Sequence, residues 1–235
     1  MIFAGIVAGG IGTRLGSDIP KQFLMLGSKP IIVHTVEKFL MCSKLDSIFV
    51  GVHENWLPYA KDIFKKYGLT NEKIFFSVGG KDRNLTIMNI ISDIESKYGE
   101  SDDHIIITHD AVRPFVSLRI IEENIDAALS TGACDTVVQS NDTIVESDEN
   151  TSKISSIPNR KYMFLGQTPQ SFNMLNLKEF FNKLSDSQKD ELTDACKIFV
   201  LNNHPVKLVM GEYSNFKITT MNDYKIAKSL IGDQI

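Results

Sequence analysis

Arg14 and Lys21 are the residues with the clearest chemical meaning. Arg14 lies inside a glycine-rich turn, Gly9 to Gly16 (GGIGTRLG), and Lys21 follows it in PKQF. Amides without side chains can wrap a chain of phosphates, and two cations beside them can neutralise charge that grows on an α-phosphate as pyrophosphate departs. Three chemistries use a glycine turn after an apolar strand: dinucleotide binding, Walker-type triphosphate hydrolysis and nucleotidyl transfer. A dinucleotide fingerprint is GxGxxG, with its third small residue where helix and strand touch. Gly10 and Gly12 fit it, but Leu15 holds the third place and Gly16 comes one residue late. Nor does a carboxylate follow about 20 residues on at the end of a second strand, which disfavours an NAD(P)-dependent oxidoreductase. A Walker A turn ends in Gly-Lys-Ser or Gly-Lys-Thr, whereas Gly16 is followed by Ser17 and Asp18. Phosphate binding for nucleotidyl transfer is the reading left, beside the plainer one in which the glycines only turn the chain.

Three further turns strengthen it: Gly79-Gly80-Lys81-Asp82-Arg83, His109-Asp110-Ala111-Val112-Arg113-Pro114, and Gly166-Gln167-Thr168-Pro169-Gln170. Turns after successive parallel strands lie on one edge of a sheet, where ligands of open α/β proteins bind. The chain has only five arginines, Arg14, Arg83, Arg113, Arg119 and Arg160, and four of them follow or flank a turn rich in Gly, Pro or Asp. The rigid guanidinium fork suits phosphate oxygens, although arginines also brace loops. His109 beside Asp110 does not read as a metal pair, because neighbouring strand residues point to opposite faces.

The elements that must carry these turns follow from hydrophobic period. Ile2 to Ala8, Ser47 to Val52, Lys73 to Val78 and Ile105 to Thr108 read as strands. Between and after them, Ile31 to Phe39, Trp56 to Tyr67, Leu85 to Tyr98 and Ser117 to about Ser130 read as helices, the last capped by its serine. This alternation predicts a mostly parallel sheet with right-handed crossovers and helices on both faces. From Asp135 the helical period is lost, and a β-arm at about 138–162 is expected to project around the turn-rich SDENTS. Its exposed edges call for cover, which a second copy of the chain would supply. Ser171 to Leu184 and Ser185 to Val200 read as helices, the second opening with a Ser185–Gln188 capping box. Val206 to Met210 and Lys217 to Thr219 read as short strands, and Met221 to Ile231 as a terminal helix.

The totals bound the rest. With 235 residues, 43% hydrophobic and 23% charged, the chain fits a single domain, 1–235, with a sizeable core. No run approaches the ~20 apolar residues of a membrane span and the N-terminus reads as a strand, so a cytoplasmic protein without membrane partners is expected. A net charge of −4 argues against a nucleic-acid surface. Cys42, Cys134 and Cys196 are odd in number and in no CxxC arrangement, as expected of small buried thiols.

In order along nearly the whole chain, AGGIGTRLG with PKQF, GGKDR, HDAVRPF, PNR at the end of the arm, GQTPQ, TDACK and KITT resemble the cytidylyltransferases that activate sugar-alcohol phosphates. The resemblance implies a Rossmann-like α/β nucleotidyltransferase fold and transfer of CMP from CTP. D-ribitol 5-phosphate is the expected acceptor, giving CDP-ribitol and pyrophosphate for teichoic-acid or capsule synthesis. The alternative is 2-C-methyl-D-erythritol 4-phosphate, the acceptor of a sister group in isoprenoid synthesis. Ala8-Gly9-Gly10 where that group has Ala-Ala-Gly, Val112 where it has alanine, and TDACK for its TDDA-like run favour ribitol. By resemblance, Arg14, Lys21, Arg160 and Lys217 are the catalytic cations. Ala8, Gly9, Gly10, Gly12, Gly80, Asp82, Arg83, Asn84, Thr86 and Asp110 would surround CTP, with Asp110 holding Mg²⁺ or another divalent cation. Arg113, Thr143, Arg160, Gln167, Thr168, Asp194 and Lys217 would meet the acceptor. The arm implies a homodimer in which Thr143 and Arg160 serve the neighbouring site.

Overall fold

A computed structural model describes residues 1–10, 19–70 and 72–232. In chain order the regular elements are β1 (Ile2–Ala8), β2 (Met25–Leu26), β3 (Lys29–Pro30), α1 (Ile31–Leu40), β4 (Ser47–Val52), α2 (Leu57–Lys66), β5 (Ile74–Val78), α3 (Arg83–Tyr98), β6 (Ile105–Asp110) and α4 (Leu118–Thr131). They continue with β7 (Ala133–Gln139), β8 (Glu146–Ser147), β9 (Ile154–Ser156), β10 (Phe164–Asn173), α5 (Met174–Lys183), α6 (Asp186–Asp190), α7 (Cys196–Leu201), β11 (Lys207–Met210) and α8 (Met221–Leu230). Among the described residues, seven strands form one sheet in the order β11-β7-β10-β6-β1-β4-β5. β1 pairs in parallel with β4 and β6, β4 with β5, and β7 with β11, while β10 runs antiparallel to both of its neighbours. The mostly parallel sheet expected from the alternation is therefore present.

Successive strand residues point to opposite faces, and the apolar strands fill both. Ala4, Ile48 and Ile107 pack with α1, α2 and α4 through Val36, Phe39, Phe64 and Ile121. Phe3, Phe49, Ile106 and Phe172 pack with α3, α5 and α7 through Ile87, Ile90, Leu177 and Phe199. Sheet and helices thus form three layers, and β1, buried on both faces, holds Gly9 and Gly10 at the C-terminal edge.

Four expectations are corrected. Ser171 and Phe172 belong to β10, paired with Ile107 and Ile106, and α5 starts only after Asn173, whose side chain accepts from the Asn176 amide. Burial of Phe172 between two strands overrides its helical neighbourhood. The 185–200 run is broken. The Ser185 capping box is present, but Asp194, expected mid-helix, sits before α7 and accepts from the Cys196 amide at 2.7 Å, a local bond that competes with a continuous helix. Residues 217–219 form no strand: Ile218 donates a single backbone bond to Val112, and Asp223 then draws Thr219 and Thr220 into the start of α8. Gly166 to Gln170 is not a free turn but an irregular stretch within β10, where the register with β7 shifts and the Thr168–Pro169 peptide is cis.

Residues 140–163 leave the main sheet between β7 and β10. They carry the small β8–β9 hairpin, closed by Asp148, which accepts from the Ser152 amide at 2.8 Å. Exposed apolar side chains, Val145, Ile154, Ile157 and Tyr162, line this segment.

Candidate active site

The ends of β1, β5 and β6 enclose a cleft lined by Ala8, Gly9, Gly10, Lys21, Gly80, Lys81, Asp82, Arg83, Thr86, Asp110 and Lys217, with Gln22 beneath. Gly12 and Arg14 lie outside the described residues. Among the described residues, four cations face two carboxylates here, a balance suited to a polyanion.

On the β5 side the cleft is built by the first turn of α3. Asp82 caps it, accepting from the Leu85 amide at 2.8 Å, and Thr86 donates to the Asp82 carbonyl while accepting from the Gly80 amide at 3.0 Å. A Cβ on Gly80 would lie 2.5 Å from Leu85 Cβ, so only glycine lets the loop close over the helix. The amides at this helix start, with the helix dipole, favour an anion.

Lys21 opens a single 3₁₀ turn, Lys21–Phe23, and Gln22 beside it is 3% exposed. Its amide donates to the carbonyls of Ala8 at 2.8 Å and Gly10 at 3.0 Å. The end of β1, Gly10 and the lysine are thereby linked by one side chain. Sequence reasoning missed Gln22, although its place directly after Lys21 in PKQF was the available signal.

Asp110 is the electrostatic centre. Its Oδ1 accepts from Arg83 Nε at 3.2 Å, and its Oδ2 accepts from Arg113 Nε at 3.3 Å and lies 3.1 Å from Lys217 Nζ. Burial alone would raise its pKa, but Arg83, Lys217 and Arg113 outweigh that and hold it well below the usual carboxylate range. Both terminal nitrogens of Arg83 are buried without a hydrogen-bond partner among the described residues. A hard divalent cation bound through triphosphate oxygens needs one or two protein carboxylates. Asp110 fits that limited role, since Oδ1 takes a single hydrogen bond from the described residues and keeps acceptor capacity.

Arg113 is buried behind Asp110, where its Nη1 donates to the Asn215 carbonyl at 2.9 Å. Asn215 in turn donates to Gln167 Oε1 and to the Thr168 carbonyl, and Gln167 donates to the Glu212 carbonyl. The 211–219 loop that carries Lys217 is thus stitched to β10. Thr168 Oγ1 accepts from the Asp110 amide at 3.1 Å and lies 3.0 Å from His109 Nδ1. His109 is fully buried, and burial pushes its pKa down to about 3, so it is neutral.

Other expected residues lie elsewhere. Asn84 turns away from the cleft, toward the Leu192 carbonyl. Thr143 is exposed on the arm, and Arg160 Nη1 donates to the Asn141 carbonyl at 3.0 Å; neither lines the cleft of its own chain. Asp194 joins Asp135 and Cys196, their ligating atoms lying within 4.8 Å of one another. The Gln170 amide donates to both carboxylates. Burial, assisted by the charge of Asp194, pushes Asp135 up to about 7. Cys42, Cys134 and Cys196 are free and buried, as expected.

The family model for 2-C-methyl-D-erythritol 4-phosphate cytidylyltransferase matches residues 2–233. The chain is similar to the crystal structure of 4-diphosphocytidyl-2C-methyl-D-erythritol synthase from Anaerococcus prevotii, at 28% identity and a TM-score of 0.81, covering 98% of this chain and 95% of that one. It is similar also to 2-C-methyl-D-erythritol 4-phosphate cytidylyltransferase from Francisella tularensis, at 27% identity and a TM-score of 0.79, covering 97% and 98%. The bifunctional protein of Campylobacter jejuni, at 20% identity and a TM-score of 0.76, shares the fold over 95% of this chain and 53% of its own.

Proposed function

The chain belongs to the 2-C-methyl-D-erythritol 4-phosphate cytidylyltransferase family and is a nucleotidyltransferase, and from that premise we propose that it transfers CMP from CTP to a polyol phosphate within a single domain spanning 1–235. The observation that carries the reading is Asp110 held among Arg83, Arg113 and Lys217 in the cleft that Gly9, Gly10 and Lys21 also line. The acceptor's phosphate oxygen attacks the α-phosphorus, the bond from that phosphorus to the bridging oxygen breaks, and pyrophosphate leaves with its electron pair. A phosphate nucleophile is already anionic at neutral pH, so positioning and charge neutralisation carry the catalysis and no general base is needed.

Backbone around Ala8 to Gly10 and Gly80 to Thr86 receives CTP, and Lys21, with Arg14, offsets the charge on the α-phosphorus. Asp110 would hold Mg²⁺ or another divalent cation, which would supply further neutralisation of the triphosphate. Arg83 offers its two unpaired nitrogens to an incoming phosphate or hydroxyl oxygen. Lys217, Arg113 and Thr168 meet the acceptor. A homodimer through the arm would bring Thr143 and Arg160 of a second copy to this side, and the exposed apolar residues of the arm support that assembly. No described helix is long and apolar enough to cross a membrane, which accords with a cytoplasmic site of action.

The names of the matched family and its solved relatives support 2-C-methyl-D-erythritol 4-phosphate as acceptor better than they support ribitol 5-phosphate. Ribitol 5-phosphate is the second reading, favoured by this chain's own residues: Val112, and Asp194 of TDACK bridged to Asp135 by Gln170. Pyrophosphate release with CTP and each acceptor in separate reactions tests both. Turnover with methylerythritol phosphate alone removes the ribitol reading, turnover with ribitol phosphate alone removes the other, and release with neither overturns the proposal.

A further inference from the structure

His109 lies on the opposite face of β6 from Asp110, 0% exposed, with its ring 5.0 Å from that of Phe39. Such a placement would suit a plain core residue. Its hydrogen bonds say more, because they tie three parts of the site to one ring. Nε2 is 3.1 Å from the Arg113 carbonyl oxygen, which can only accept, so Nε2 carries the hydrogen and donates. In the tautomer with its single hydrogen on Nε2, Nδ1 is a bare acceptor. The Thr168 hydroxyl, 3.0 Å away, must therefore donate to Nδ1. That leaves the lone pairs of Thr168 Oγ1 for the Asp110 amide, which donates to it at 3.1 Å. The chain of donors runs in one direction: Asp110 amide to Thr168, Thr168 to His109, His109 to the Arg113 carbonyl.

We infer that His109 is a positioning residue for the acceptor side of the site, its ring fixing Thr168, the Asp110 backbone and the Arg113 loop in one register. This rests on the proposed reading, in which Thr168 and Arg113 meet the acceptor. The ring touches no substrate. It orients the Thr168 hydroxyl by accepting its hydrogen bond, and it closes the turn from Asp110 to Arg113 by donating to the carbonyl at its far end. The same turn accepts the Ile218 amide at the Val112 carbonyl, 2.9 Å away, so the position of Lys217 follows that of the loop. On the CTP side, Gly80, Thr86 and Gln22 make none of these bonds, and Asp110 shares in them only through its backbone amide.

Two substitutions separate this role from simple packing. H109L fills the space and removes both links, whereas H109N restores an acceptor near the position of Nδ1 and so the link to Thr168. Initial rates with CTP and the acceptor that the wild-type chain uses, together with thermal melting, are the readout. The expected result is a tenfold or larger rise in acceptor KM for H109L with CTP KM within twofold of wild type, and partial recovery of acceptor KM in H109N. Equal rises in both KM values, no rise in either, or H109N no better than H109L would overturn the inference. If H109L does not melt cooperatively, H109Q takes its place in the same comparison, since it keeps a donor for Arg113 and drops the acceptor for Thr168. A wild-type chain that transfers CMP to no polyol phosphate would overturn the functional reading instead.

Discussion

Asp135→Asn should make the protein more stable at neutral and alkaline pH. Asp135 on β7 is mostly buried, accepts from Gln170 Nε2 at 3.0 Å, and faces Asp194 through the same amide. Burial and then the neighbouring charge raise its pKa from 3.8 to about 7. A carboxyl whose folded pKa lies above its unfolded value costs nothing below the unfolded value. The cost grows as pH rises from about 4 and is complete above about 7. At about 1.4 kcal/mol per unit, the shift sets a ceiling on the order of 4 kcal/mol. Asp135 is partly open to water, and relaxation around it reduces the effect, so about 1–2 kcal/mol is expected at pH 8. Asparagine keeps the acceptor for Gln170 and offers its own amide to Asp194, reproducing the protonated acid without its charge. For a chain of this length, that gain corresponds to a Tm rise of about 3–6 °C. By pH 5 the advantage should shrink to roughly a third. Calorimetric melting of both proteins between pH 5 and 8.5 measures this directly. A Tm difference that does not change with pH, or a variant less stable at pH 8, would refute the assignment of a strained carboxylate.

Three further predictions concern the donor side. Gly80→Ala places a Cβ 2.5 Å from Leu85 Cβ and 2.8 Å from its carbonyl carbon; a loss of about 1–3 kcal/mol in denaturant unfolding and weaker CTP binding by calorimetry are expected. Gln22→Leu leaves the Ala8 and Gly10 carbonyls without their shared donor, and should cost about 1–3 kcal/mol of stability and raise CTP KM more than acceptor KM. Lys21→Ala should cut kcat far more than CTP affinity, because its charge acts most strongly in the transition state; equal losses in single-turnover rate and equilibrium binding would contradict that role.

The first half of the fold was legible because each buried parallel strand is a continuous apolar run and each helix has one apolar stripe, so the two periods separate cleanly. The turn carrying Gly80, Asp82 and Arg83 was legible for a related reason: a glycine pair after an apolar run marks a strand end, although the role of Asp82 as the cap of α3 was not read from the sequence. The second half hid its elements where local chemistry and tertiary pairing disagree. Phe172 lies in a helix-like string but is buried between Ile106 and neighbouring strands, and Asp194 looks like a helix residue until its carboxylate takes the Cys196 amide.

What the spacing could not carry is the convergence of distant side chains. Asp110 was found by its turn, yet nothing local to that turn says that Arg83, Arg113 and Lys217 close on its two oxygens from α3, the β6 loop and the 211–219 loop. Three cations on one carboxylate leave a surplus of positive charge around a single fixed anion, and without a ligand those cations repel one another. In the proposed reaction a bound anion relieves that repulsion, but the first anion to enter uses up the surplus and repels the second, so on charge alone CTP and the acceptor phosphate should each weaken the other's binding. The coupling has a measurable sign: CTP affinity should fall in the presence of a non-reacting polyol phosphate analogue, and CTP affinity measured alone should fall in Lys217→Met. An affinity for CTP indifferent both to the second phosphate and to the loss of Lys217 would mean that the cations are neutralised within the protein and that Asp110, rather than substrate, is their true partner.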